Sequence, residues 1–483
     1  MKKQSGKSPS LFVSLIPVAV LVALLFGTIS LFGSNTLSGG SQIILLVAAA
    51  VCCAIAIFHC RIKWEAIEQT IVSSIAGISP AILILLIIGA LAGSWMISGI
   101  VPTLIYYGIQ IIHPSFYLVS TCIICSIVSV ITGSSWTTIA TIGIALLGIG
   151  QAQGFSPGWI AGAIISGAYF GDKISPLSDT TVMASSTTDT PLFTHIRYMM
   201  ITTVPSMLIT LAIFTVAGFV HAPAAAGDVA LYIDKLDERF TISLWLLLVP
   251  AATIFLIVKK VPAIVTLFLS ALMAGLVALV VQPHLLHEIA GGVSPAGIAS
   301  KCKGLLITFY GSTHIDAGNA ALNDLISTSG MAGMLNTVWI IICAMVFSGA
   351  MTASGMLQSI TAAVMRLMKR TVSMVASTVC SGMVLNLIAA DQYIAIILTG
   401  SMFKESYREK GFESRLLSRT IEDAVTVTSP LVPWNTCGMT QSTMLGISTF
   451  TYLPYCFFNL ISPLMSIVVA ALGYKIYKSA VKA

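Results

Sequence analysis

Gly171-Asp-Lys-Ile-Ser-Pro-Leu-Ser-Asp-Thr-Thr181 interrupts a chain that is otherwise almost continuously apolar. The interruption holds two carboxylates, Asp172 and Asp179, and several hydroxyls around Pro176, a residue type that breaks helices. Charged side chains persist at membrane depth mainly where they pair, line a cavity or bind an ion. Irregular backbone there is tolerated only where protein or water satisfies its polar groups. The segment therefore predicts a broken helix near 171–181 that contributes to a cation site.

The composition predicts a polytopic membrane protein of the all-α class. The chain has 483 residues, of which 57% are hydrophobic and 9% are charged, whereas soluble domains carry about 25% charged residues. Its apolar runs are long and continuous, which excludes a transmembrane barrel built from short alternating segments. The net charge of +6 comes from basic residues scattered at segment ends, as in cytoplasmic loops, so no nucleic-acid partner is expected.

The apolar stretch 11–32 follows Lys2, Lys3 and Lys7 and is long enough to span a bilayer. It is predicted to be an uncleaved first helix that enters from the cytoplasm. The ten cysteines form no disulfide or zinc framework.

The most polar linker, 222–240, divides the chain into a first half, 1–221, and a second half, 241–483. Two apolar segments, 139–150 and 393–403, are too short to cross a 30 Å hydrocarbon core as helices. They predict re-entrant hairpins near 133–154 and 390–412. About 10–12 transmembrane helices accompany them.

The two halves are similar when the first is shifted by 257 positions. Gly154-Phe155 then falls on Gly411-Phe412, and Pro176 falls on Pro433. The polar breaks coincide as well, because Ser134 meets Asp391 and a second broken helix is predicted near 428–438. Paired interruptions of this kind indicate an internal repeat with a binding site at the membrane midplane, inverted if each half crosses an odd number of times.

A first group of candidate ligands lies at two corresponding junctions, 133–138 and 386–393. Hydroxyls and free carbonyls after a glycine can replace the hydration shell of a hard cation, although Ser and Thr there are also typical helix caps. The candidate residues are Ser134, Ser135, Trp136 and Thr137 in the first junction, and Asn386, Asp391 and Gln392 in the second.

A second group lies in 171–181 and comprises Asp172, Ser175, Pro176, Asp179 and Thr180. The alternative is that Asp172 pairs with Lys173, or that either Asp caps a helix in an outer loop.

A third group lies in 419–436, where two prolines open the helix and free its carbonyls. A carboxylate in such a dry site binds either a proton or a cation, unless Arg419 neutralises it. The candidates are Glu422, Asp423, Thr428, Ser429, Asn435 and Thr436.

Three long segments, 167–181, 189–198 and 417–438, resemble the NhaC-type sodium/proton antiporters of the ion-transporter superfamily. The resemblance implies a scaffold domain and a transport domain with two hairpins, an elevator-like movement, a homodimer and a bacterial inner-membrane location. One difference is Val182, because an Asn often follows the Thr pair in this family.

We therefore expect a sodium/proton antiporter that uses intramembrane carboxylates, with Na⁺ and H⁺ as coupling ions and no cofactor. The alternative is a sodium-coupled carrier or exchanger of a small organic acid, of the malate/lactate type, or of an amino acid. A passive channel is a further alternative. The chain has no Walker A, His-Glu-x-x-His or Gly-x-Ser-x-Gly motif, which is evidence against ATP-driven pumping and against a membrane enzyme.

Overall fold

The computed structural model describes residues 9–32, 39–221, 227–292, 297–318, 322–323, 326–365 and 370–478. Their regular structure is helical, apart from two isolated β-bridges that join Thr313 to Thr328 and Phe412 to Lys478.

The helices of the first half follow one another with short connections. They are α1 (Leu11–Phe32), α2 (Gly40–Phe58), α3 (Trp64–Gly77), α4 (Ser79–Ile97), α5 (Ile100–Ile111), α6 (Pro114–Thr132), α7 (Ser135–Ala152), α8 (Pro157–Ile174), α9 (Asp179–Thr187) and α10 (Leu192–Val220). The bounds of α1 agree with the first helix predicted from the sequence.

The described part of the polar linker forms one helix, and the helices of the second half follow it. In chain order they are α11 (Gly227–Arg239) in the linker, and then α12 (Leu248–Val258), α13 (Ala263–Val281), α14 (Pro283–Ile289), α15 (Ile298–Tyr310), α16 (Gly330–Ala353), α17 (Met356–Met365), α18 (Thr371–Ala389), α19 (Gln392–Glu409), α20 (Ser414–Ile421), α21 (Thr436–Leu445) and α22 (Phe457–Ala471).

Within the described residues, 8 helices are long and apolar enough to cross a membrane, or up to 10 if two bent pairs are each one span. The bent pairs are Tyr232–Arg239 with Leu244–Val258, at 85°, and Thr449–Tyr455 with Phe457–Ala471, at 55°. The protein is therefore a multi-pass helical membrane protein. Its span count lies at or below the lower end of the 10–12 predicted.

The ranges 133–154 and 390–412 differ from the predicted hairpins. Each contains one helix of 18 residues, α7 and α19, which is about 27 Å long at 1.5 Å per residue. The apolar segments 139–150 and 393–403 are shorter than α7 and α19, because each helix continues through polar residues on both sides of its apolar centre. α7 also contains a π-helical turn, Ile139–Gly143, a feature frequent at functional sites.

The chain breaks instead between helices, in both halves. α8 ends at Ile174 and α9 begins at Asp179, with Ser178 as its N-cap. In the second half α20 continues into a π-helical turn, Glu422–Thr426, and a short 3-10 turn before α21.

Helix bounds in the two halves are related by one constant offset. α6 and α18 begin at 114 and 371 and end at 132 and 389. α7 and α19 begin at 135 and 392 and end at 152 and 409. All four pairs of positions are 257 apart, which is the offset found in the sequence.

Glycines allow α8 to approach α6 closely. A Cβ on Gly167 would lie 2.2 Å from the Cys122 carbonyl oxygen, and one on Gly171 would lie 2.4 Å from that of Ser126. Small residues at such contacts let membrane helices pack backbone to backbone. This packing fixes the carboxyl end of α8, and with it Asp172.

Candidate ion site

The starts of α7 and α19 have the same local geometry. Each follows a residue in the left-handed region, Gly133 at φ 67° and Ala390 at φ 53°. Each then has an extended N-cap residue whose side chain accepts a backbone N–H: Ser134 from Thr137 at 3.2 Å and Asp391 from Ile394 at 3.0 Å. The capping role considered for Ser134 is therefore present, and the same role falls to a carboxylate in the second half.

Asp172 is buried at the carboxyl end of α8 and accepts three hydrogen bonds. Ser135 donates its backbone N–H at 3.1 Å and its hydroxyl at 2.7 Å to Oδ2, and the Ser178 hydroxyl donates to Oδ1 at 2.6 Å. These donors are all neutral. The carboxylate thus joins the start of α7 to the break before α9 and keeps its negative charge available for a cation.

Asp391 is buried in an equivalent way at the start of α19. Besides the Ile394 N–H, it accepts the Thr436 hydroxyl at 3.0 Å. The backbone N–H of Thr436 donates to the Ala390 carbonyl at 2.8 Å. The first turn of α21 is therefore attached to the junction between α18 and α19.

The 257-position offset extends to side-chain contacts. In the first half Ser135 donates its hydroxyl to Asp172 at 2.7 Å; in the second half Ser429 donates its hydroxyl to the Gln392 amide oxygen at 2.8 Å. Gln392 corresponds to Ser135 and Ser429 corresponds to Asp172. The contact is thus repeated with donor and acceptor exchanged, and the second copy is uncharged.

Amides complete this region between α18 and the broken segment after α20. Asn386 donates to the Val425 carbonyl at 2.7 Å and to Thr428 Oγ1 at 3.0 Å. Asn435 caps α21 by accepting the Cys437 N–H at 3.0 Å, and donates to the Asn386 carbonyl at 3.1 Å. Both candidate amides therefore hold the open backbone in place.

The predicted residues Asp179, Pro176, Ser175, Thr180 and Trp136 lie at the edge of this cluster. Asp179 and Pro176 are exposed, and Trp136 is half-buried. Ser175 donates its hydroxyl to the Val130 carbonyl at 2.8 Å, and the Thr180 hydroxyl lies 3.0 Å from that of Ser178. Asp179 is still close enough to Asp172 for the two charges to interact.

Asp423 lies in a different environment from Asp172 and Asp391. The buried Lys173 ammonium forms an ion pair with Asp423 Oδ1, which also accepts the Thr202 hydroxyl at 2.9 Å. Arg419 Nε lies 3.7 Å from Oδ2, so this arginine neutralises the acid only partly. The alternative in which Lys173 pairs with Asp172 is wrong, because the ammonium reaches across to the π-helical turn.

The sequence did not assign four polar residues of the site, which are Lys173, Ser178, Thr202 and Ser462. Ser462 accepts from the Lys173 ammonium at 3.0 Å. Thr202 and Ser462 are hydroxyls inside long apolar helices, where such residues commonly bond to their own backbone. For Lys173 the signal was present: neighbouring residues of a helix point in different directions, so a lysine next to Asp172 needs another partner.

Glu422 is fully buried, and neither of its carboxylate oxygens has a partner in hydrogen-bond geometry, although the Thr426 hydroxyl on the same turn is a close polar neighbour. Its charged neighbours are Lys173, Asp172 and Asp423. An unpaired charge in a low-dielectric interior is strongly unfavourable, so this carboxyl is stable there when it carries a proton or when a cation lies against it.

Comparison with known proteins shows that the chain is similar to antiporters over most of its length. A family model described as the Na⁺/H⁺ antiporter family matches residues 7–188 and 167–474. The Na⁺/H⁺ antiporter NhaC of Alkalihalophilus pseudofirmus is 35% identical over 87% of this chain and 88% of its own. The malate-2H⁺/Na⁺-lactate antiporter of Bacillus subtilis is 35% identical over 85% of each chain. The arginine/ornithine antiporter ArcD of Halobacterium salinarum is 31% identical over 98% and 94%.

Proposed function

Because the chain belongs to the Na⁺/H⁺ antiporter family, we propose that it exchanges Na⁺ for H⁺ across the plasma membrane, as a transporter that needs no cofactor. The observation that carries this proposal is a pair of buried carboxylates, one that contacts the start of α7 and one that caps the start of α19. Asp172 and Asp391 accept only neutral donors among their hydrogen bonds, so their charge is available to a cation.

The surrounding groups are suited to a hard cation, which prefers oxygen ligands. Hydroxyls of Ser135, Ser178 and Thr436 now donate to the carboxylates, but each can rotate and present its oxygen to a bound Na⁺. The broken backbone before α9 and α21 supplies carbonyl oxygens that a continuous helix would use internally.

Glu422 is the proposed proton carrier. It is buried without a hydrogen-bond donor and lies near Asp172, so Na⁺ and H⁺ at this cluster would exclude each other electrostatically. Because the site holds only one of the two ions at a time, it carries Na⁺ across the membrane in one direction and H⁺ in the other. This alternation couples the two fluxes.

The halves 1–221 and 241–483 are proposed to form an inverted repeat that moves as a scaffold and a transport domain within a homodimer. The 257-position offset of the helix bounds supports the repeat. Residues 222–226 of the intervening linker lie outside the described structure, and the described remainder contains α11.

The second candidate function is sodium-coupled exchange of an organic acid or an amino acid. Two observations favour it: relatives of this chain are named for malate/lactate and arginine/ornithine exchange, and the buried Arg419 guanidinium has no hydrogen-bond acceptor. A guanidinium is the side chain best shaped to bind a carboxylate.

Proteoliposomes with an entrapped pH dye and an inward Na⁺ gradient distinguish the two functions. Antiport predicts that the interior becomes alkaline with no organic solute present. If the pH responds only after malate, lactate or arginine is added, the organic-solute function replaces it. Sodium conductance across a bilayer without a pH change would instead indicate a channel.

A further inference from the structure

Lys173 is the only Lys on the helices that surround Glu422 whose ammonium is fully buried in the described structure. It forms its ion pair with Asp423, donates to Ser462 at 3.0 Å and lies 5.6 Å from the centre of the Phe458 ring. The ammonium therefore sits between α8, α22 and the π-helical turn Glu422–Thr426.

Asp423 and Glu422 are consecutive carboxylates that differ completely in their partners. Asp423 accepts from Lys173, from Thr202 and, at 3.4 Å, from Ser462, and it has Arg419 at 3.7 Å. Neither oxygen of Glu422 has a donor in hydrogen-bond geometry. Lys173 is nevertheless a charged neighbour of both. The Lys173 ammonium is thus ion-paired with Asp423 and interacts with the charge of Glu422. If the ammonium moves away, the Arg419 guanidinium can compensate the charge of Asp423.

The other titratable or charged groups on the elements packed around this turn do not replace Lys173. They are Tyr169 and Asp172 on α8, Asp179 on α9, His195, Arg197 and Tyr198 on α10, Cys380 on α18, Tyr393, Lys404, Glu405, Tyr407, Arg408 and Glu409 on α19, and Arg415 and Arg419 on α20. Arg419 lies over the Tyr198 ring at 4.8 Å, and His195 bonds to Ser418 at 2.8 Å.

We propose that Lys173 is a positioning residue that competes with Na⁺ for Glu422, moving its ammonium from Asp423 to Glu422 when that carboxylate has neither a proton nor a sodium ion. The inference rests on the proposed function, since it takes Glu422 as the proton carrier. Lys173 follows Asp172 directly in α8, so a cation that draws Asp172 also repels the adjacent ammonium toward Asp423. Sodium binding and the Lys173–Asp423 pair would then support each other.

The first test removes the competitor without leaving a single buried charge, which would be destabilising. The double variant Lys173→Gln/Asp423→Asn is expected to bind Na⁺ with a half-saturating concentration several-fold lower than wild type, and with a weaker dependence on pH. Binding to the purified protein is measured by calorimetry between pH 6 and pH 9. An unchanged or higher half-saturating concentration would overturn the proposal.

The second test uses a small substitution that shifts the Lys173 ammonium from Asp423 toward Glu422. Ser462→Ala removes the hydroxyl that accepts from Lys173 at 3.0 Å and donates to Asp423 at 3.4 Å, and so loosens the Lys173–Asp423 pair. The ammonium should then favour Glu422, and the half-saturating Na⁺ concentration should rise several-fold. Ser466→Ala, at a buried hydroxyl without a partner on the same helix, is the matched control and should leave it unchanged. No rise in Ser462→Ala, or an equal rise in both, would assign Lys173 a purely structural role.

These binding measurements are independent of the transport assay. A wild-type protein that binds Na⁺ but drives no pH change in proteoliposomes would disprove antiport while the comparison of variants still tests Lys173. Normal antiport with no difference among the variants would disprove only the role of Lys173.

Discussion

Ser135 donates both its backbone N–H, at 3.1 Å, and its hydroxyl, at 2.7 Å, to the same carboxylate oxygen of Asp172. This contact joins the first turn of α7 to the last turn of α8. A cation that takes the place of the hydroxyl proton would lie at the amino end of one helix and the carboxyl end of another. If Na⁺ binds there as proposed, its occupancy and the relative position of these helices would be linked.

Thr436→Val should weaken sodium binding while the protein still folds, because valine has the shape of threonine but has no hydroxyl oxygen to present to Na⁺. If this oxygen contributes as much as a hydrogen bond to a charged group, about 1.5–3 kcal/mol, the half-saturating Na⁺ concentration should rise roughly 10-fold or more. Thr440→Val is the matched control, since its hydroxyl bonds to the Thr436 carbonyl at 2.6 Å. Equal effects in both variants would contradict a ligand role for Thr436.

Glu422→Gln should uncouple the proton from the sodium ion. In the wild type, sodium binding is expected to weaken as the pH falls, because a proton would then occupy Glu422. The amide cannot take that proton, so binding to the variant should depend less on pH. Sodium binding to the purified variant is measured from pH 6 to pH 9. The control is Glu405→Gln, at a mainly exposed carboxylate paired with Arg408. A wild-type pH profile in Glu422→Gln would exclude this residue as the proton carrier.

Asp179→Asn is expected to abolish sodium-dependent proton movement while leaving membrane insertion intact. Asp179 is exposed at the start of α9 and interacts with the charge of Asp172, so its loss should weaken the attraction for an entering cation. Dye-reported exchange is compared with the amount of inserted protein. Retained exchange would remove Asp179 from the mechanism.

Gly171→Ala should destabilise the fold around the site. The added Cβ would lie 2.4 Å from the Ser126 carbonyl oxygen and 2.5 Å from Ser129 Cβ, and overpacking of this kind costs about 1–3 kcal/mol. We expect the melting temperature in detergent to fall by several degrees. Gly77→Ala, where no atom lies within 4 Å of the added Cβ, should melt like the wild type.

The features that depend on the order of polar and apolar residues along the chain could be predicted from the sequence. The apolar run 11–32 coincides with α1, and the pairing of Ser134 with Asp391 under the 257-position shift appears as two identical helix starts. Hydrocarbon imposes these features locally, because each span must satisfy its own backbone.

The Lys173–Asp423 pair could not be derived in the same way. The two residues are 250 positions apart, and only the packing of α8 against the π-helical turn brings them together. The length of α19 was also missed, because its last turns carry charged residues such as Lys404 and Arg408 beyond the apolar core. Long-range packing and helix extension into polar sequence leave no local signature.

Asp172→Asn removes the buried carboxylate that is proposed to bind the exchanged cation. Wild type and variant are compared in proteoliposomes under an inward Na⁺ gradient without organic solute, with Asp237→Asn, an exposed carboxylate on α11, as the control. We predict that the interior becomes alkaline with wild type and Asp237→Asn but not with Asp172→Asn. Alkalinisation by Asp172→Asn at the wild-type rate would show that Asp172 does not bind the exchanged cation.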